Sequence, residues 1–62
     1  MTVSKEKVDI ILAKKQTTIS ALCENEGISR ARFYAILNSK NVTPKSVGRI
    51  AGALGVSVEE II

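Results

Sequence analysis

Arg30, Arg32, Lys40, Lys45 and Arg49 fall in a stretch from Gly27 to Val58 that contains no acidic residue. Guanidinium and ammonium groups collected without carboxylates between them form a surface for polyanions, above all for phosphate oxygens. The remaining charges balance. Lys5, Lys7, Lys14 and Lys15 offset Glu6, Asp9, Glu24 and Glu26, and the central cations less Glu59 and Glu60 account for the net charge of +3. Other chemistry finds little support. There is no histidine and only one cysteine, Cys23, which excludes an internal disulfide and a Cys/His metal site. No carboxylate pair or nucleophile–base pair stands out, and a chain of 62 residues rarely encloses a substrate pocket. No enzyme, metal or cofactor is expected.

Positioning the cations requires a scaffold, and its length bounds what it can be. At this size one domain spanning residues 1–62 is expected, burying only about 60% of the surface of the unfolded chain. The apolar content of 45%, with only Phe33 and Tyr34 aromatic, implies an aliphatic helical core. Apolar runs are far shorter than the roughly 20 residues needed to cross a bilayer, so no membrane association is expected. No signal peptide is expected either, and a solitary thiol fits a reducing cytoplasm.

The apolar spacing predicts five short helices and no strand. Ser4 caps the first, with Val3 and Val8 as a hydrophobic staple and Val8, Ile11 and Leu12 as the buried face. Thr17 or Thr18 caps the second, on which Ile19, Leu22 and Cys23 repeat the i, i+3, i+4 spacing. Gly27 stops it, and Ser29 opens a third helix to about Asn38 with Phe33, Ile36 and Leu37 inward. Thr43-Pro44 starts the fourth, whose buried face is Val47, Ile50, Ala51 and Leu54. Gly55 ends it. Ser57 begins a last short helix with Glu59 and Glu60 in its first turn and Val56, Val58, Ile61 and Ile62 as its apolar side. Gly48 and Gly52 sit one turn apart on the fourth helix, either as tolerated surface glycines or where another helix approaches closely.

From Leu22 to Leu37 the spacing is that of a helix–turn–helix. Two helices crossing steeply over a short turn need a small residue at the crossing, which Cys23 supplies, and a residue free to take positive φ, which Gly27 supplies. They also need bulky apolar residues beyond the turn, and Ile28, Phe33 and Ile36 fit.

The run Ser20-Ala21-Leu22-Cys23-Glu24-Asn25-Glu26-Gly27-Ile28-Ser29-Arg30, the later Thr43-Pro44, and the ending Arg49-Ile50-Ala51-Gly52-Ala53-Leu54-Gly55-Val56-Ser57-Val58-Glu59-Glu60-Ile61 resemble the lambda repressor/Cro-like, or Xre, helix–turn–helix family. The resemblance runs from about Val8 to the last residue. It implies an all-α, compact five-helix lambda-repressor-like fold, with the helix–turn–helix in helices two and three. It further implies a sequence-specific regulator of double-stranded DNA, a repressor of bacterial or phage type acting in the cytoplasm and taking no small-molecule ligand.

In that family the helix after the turn, here residues 29–38, lies in the major groove. Carried over by position, Arg30, Ala31, Tyr34 and Ala35 face bases. Ser29, Arg32, Asn38, Lys40, Thr43 and Lys45 fall where the family grips phosphates. A monomer reads few base pairs, so two copies on a pseudo-palindrome are expected, as a homodimer in solution or on DNA. The candidate dimer surface is Val56, Val58, Ile61 and Ile62, although these residues are also needed to close a small core. Three positions depart from the family. Ile19 stands where a glutamine commonly clamps a phosphate, and it either packs inward or covers a partner. Thr17 replaces a core leucine, and Ser39 replaces a glycine closing the third helix. Alternative roles are an excisionase-like or antitoxin DNA-binding factor, or a helical adaptor for a repressor or polymerase that leaves DNA alone. Ile19 is the best support for the adaptor.

Overall fold

The computed structural model describes residues 1–62, in the order α1 (Lys5–Lys15), α2 (Ile19–Glu26), α3 (Arg30–Asn38), α4 (Pro44–Leu54) and a 3-10 turn at Val58–Glu60. Each α-helix starts at an expected hydroxyl. Ser4, Thr18, Ser29 and Thr43 accept from the backbone N–H of Lys7, Ala21, Arg32 and Ser46, so one otherwise unpaired donor at each helix start is satisfied. Of the two threonines before α2, Thr18 is the cap. Thr17 is half-buried and its N–H donates to Leu12 O at 3.1 Å, continuing the end of α1. Gly27 and Gly55 close α2 and α4 at φ 67° and 70°, the left-handed region that glycine enters without steric cost.

The expected fifth helix is corrected to a single 3-10 turn. Only Val58–Glu60 lie between Ser57 and Ile61, too few to propagate an α-helix. Ser57 does not cap the turn through its oxygen alone. The Glu60 carboxylate accepts from Ser57 N–H at 2.8 Å and from its hydroxyl at 3.2 Å, which closes the turn on itself.

The core is aliphatic except for Phe33 and Cys23, and its fully buried side chains are Phe33, Val8, Val47, Ile50, Leu54 and Ile61. Every helix contributes its expected face, and Val3, Ile28 and Val42 add to it from the connections. Buried positions hold no polar or charged side chain. Ile19 is half-buried, with part of its side chain packed against this core. Ile61 is completely buried, so it is removed from the candidate dimer surface. Its burial follows from the scarcity of core-forming residues in so small a chain, which needs this side chain to close the end of the core.

No helix is long and apolar enough to cross a membrane. Gly48 and Gly52 are exposed, and a Cβ built on either would meet no atom within 4 Å, so no helix of this chain approaches them.

Candidate nucleic-acid interface

The turn between α2 and α3 is held by paired donors. The N–H groups of Gly27 and Ile28 both donate to Cys23 O, the latter at 3.0 Å, and Ile28 is buried just beyond. Cys23 itself is 2% exposed. A bulkier side chain would force the two helices apart. Burial pushes the Cys23 thiol above its ordinary value, with the Arg30 charge acting weakly in the opposite direction. The net rise leaves it a neutral packing residue, not a reactive thiolate.

At i, i+3 and i+4, Phe33, Ile36 and Leu37 form one inward face of α3, so the residues facing away from the core are fixed by helical geometry. Ala31, Ala35 and Asn38, at i, i+4 and i+7, occupy the middle of the outward stripe, with Tyr34 beside them at 44% exposure. Arg30 and Arg32 flank the stripe on opposite edges. Arg30 leans over α2, its Nη1 donating to Ser20 Oγ at 3.3 Å. Arg32, on the other edge, lines a shallow groove of about 240 Å³. Between the two arginines the stripe carries two methyl groups, an amide and a phenol. The small alanines let another surface come close to the helix axis, while the cations sit where they can reach around it.

The groove beside Arg32 continues to the start of α4 and is lined also by Ser39, Asn41, Thr43 and Ser46. Lys40, Thr43 and Lys45 are exposed along this side. The Thr43 hydroxyl is engaged locally, donating to Ser46 Oγ at 3.0 Å and accepting from Ser46 N–H at 3.3 Å. The Ser29 oxygen likewise accepts from Arg32 N–H at 3.1 Å, so each hydroxyl first serves its helix. Ser39 closes α3 at φ −82°, an extended conformation open to any residue, which is why glycine is not needed there.

The fold brings Ser29, Arg30, Ala31, Arg32, Tyr34, Ala35 and Asn38 together on α3, and the loop plus the start of α4 adds Lys40, Thr43 and Lys45. Two features were not apparent from the sequence. Asn38 shares the central stripe with Ala31 and Ala35 and does not stand apart at its end, a placement its i+7 spacing could have signalled. Ser20 holds the Arg30 side chain, and nothing in the local pattern marked that contact.

A family model for the Cro/C1-type helix–turn–helix DNA-binding domain matches residues 7–62. The chain belongs to that family. As a Cro/C1-type domain it is a DNA-binding domain of the regulator kind, and the family is non-enzymatic in general. Comparison with curated proteins and with solved structures finds no match. The Cro/C1-type assignment spans all four α-helices almost completely, so the helix–turn–helix and the α4 segment belong to one family pattern.

Proposed function

We propose that this Cro/C1-type domain is a sequence-specific transcriptional repressor that lays α3 in the major groove of double-stranded DNA in the bacterial cytoplasm or a phage-infected host. The supporting observation is the outward stripe of α3, which is free of acid, flattened by Ala31 and Ala35, and bordered by Arg30 and Arg32. A stripe of that shape admits a duplex, whose edges can be read by Arg30 through guanine O6 and N7 and by the alanine methyls against thymine methyls. Tyr34 and Ala35 read one turn later. Ser29, Arg32, Asn38, Lys40, Thr43 and Lys45 hold the backbone, aided by the amides at the start of α4. Two copies would bind half-sites about one helical turn apart. Ile19, the residue that favoured a non-DNA adaptor, is half-buried against the core, which gives it a packing role that needs no partner.

Selection of bound sequences from a random duplex pool tests the reading, since it reports specificity, half-site symmetry and spacing together. About five phosphate contacts per subunit predict a log–log salt slope near −4 to −5, doubled for two subunits. Arg30→Ala should cost about 1–3 kcal/mol at one base pair and relax preference there, whereas Lys40→Ala should weaken all sequences about equally. A salt-independent response with no shift at low salt would reject DNA binding. Equal behaviour of the two variants would reject base readout by Arg30.

A further inference from the structure

The loop between α3 and α4 has few hydrogen bonds of its own. Ser39 N–H donates to Ile36 O at 3.3 Å and Asn41 N–H to Ser39 Oγ at 3.2 Å. Its remaining backbone ties run to the other end of the chain. Val42 N–H donates to Met1 O at 2.7 Å, Met1 N donates to Val42 O at 2.9 Å, and the Thr2 hydroxyl donates to Lys40 O at 3.2 Å. Val3 and Val42, at 3% and 6% exposure, anchor both strands of this pairing in the core. Ser4 N–H, donating to Ile61 O, fixes the strap at its far end. The inward groups of the loop are thus occupied, while the side chains of Lys40 and Asn41 remain exposed. The same loop walls the groove beside Arg32 and leads directly into the Thr43 cap.

We propose that the Met1–Val3 strap is a positioning element for the phosphate-gripping loop, holding Lys40 in its binding conformation without touching DNA. The inference rests on the DNA-binding reading above. A loop ordered in advance does not have to be ordered at the moment of binding, so the strap raises affinity for any duplex and leaves sequence preference alone. Thr2 acts through Lys40, and its effect should vanish where Lys40 has no charge to place.

Thr2→Val removes the hydroxyl at an exposed position while preserving shape, so the fold is retained. Its affinity for random duplex and for a selected site should fall together, by about fivefold, the scale of one net hydrogen bond. The salt slope should become shallower by up to about one. In a Lys40→Ala background the same substitution should have almost no further effect, a coupling that general loss of stability would not produce. A variant lacking Met1 and Thr2 should show faster amide exchange at Val42 without DNA present. Additive effects of Thr2→Val and Lys40→Ala, or unchanged Val42 exchange in the shortened variant, would overturn the inference. Failure of the unsubstituted protein to bind duplex in a salt-dependent manner would instead overturn the DNA reading, and the inference with it.

Discussion

Cys23 shows how one side chain serves a crossing and also reports on it. It must be small to let α2 and α3 meet, and apolar to lie among Leu22, Ile28 and Phe33 in the core. Burial favours the neutral thiol, so the folded protein holds that proton to higher pH than the unfolded chain, whose ordinary value is 9.0. Below 9.0 both states keep the proton and the effect on stability is nil. Above it the unfolded chain binds fewer protons, and stability falls as pH rises toward the raised folded value. Cys23→Ala removes this contribution. Unfolding measured at several alkaline pH values should therefore show the stability advantage of the unsubstituted protein over Cys23→Ala shrinking as pH rises; a constant difference would contradict the raised thiol. Other single positions were less legible. Gln16 closes α1 at φ 52°, and glutamine has no side-chain feature that marks it for the left-handed region. Ile19 could be placed partly against the core only once that core was known.

Helix boundaries were legible because capping is local chemistry. Ser4, Ser29 and Thr43 each bond a donor three residues onward, an interaction contained within the segment that announces it. The last element was not legible as a helix or a turn, because its length depends on how Ile61 is drawn into a core assembled from distant residues. Glycine separates these two kinds of information well. At Gly27, φ is 67° and any side chain is strained, so Gly27→Ala should destabilise by about 1–2 kcal/mol despite open space around it. At Gly48 and Gly52 the backbone is ordinary exposed α-helix with nothing within 4 Å, so each change to alanine should stabilise by up to about 1 kcal/mol. For a domain this small that is a rise in Tm of about 4–8 °C per substitution. Thermal unfolding of the three variants checks the opposite signs. If Gly48→Ala and Gly52→Ala stabilise the monomer yet weaken binding to a two-half-site duplex, a second copy approaches α4 through these glycines.

At the scale of the whole molecule, any pairing of two copies through the C-terminal end would draw on the same apolar residues that close the core. The helix–turn–helix and its acid-free outer stripe were legible because both follow from spacing along adjacent elements. The division of Val56, Val58, Ile61 and Ile62 between interior and surface was not, since it depends on how the C-terminal turn folds back over α4 and α1. Ile61 is entirely enclosed and accepts the Ser4 N–H through its carbonyl. Val56 and Val58 are half-buried against the core, and Ile62 is 42% exposed while its carbonyl accepts from Lys7 Nζ at 3.0 Å. Of the four, Ile62 is the most exposed, with Val56 and Val58 able to contribute edges. Two substitutions next to one another should therefore have separable effects. Ile61→Ala deletes fully buried methyl groups and should cost about 2–5 kcal/mol of stability, visible as a large fall in Tm. Ile62→Glu places a charge at the surface and should leave Tm nearly unchanged. If this end of the molecule pairs two copies, Ile62→Glu should abolish cooperative occupation of a two-half-site duplex while binding to one half-site persists. Unchanged cooperativity in a stably folded Ile62→Glu protein would exclude Ile62 from the contact between subunits.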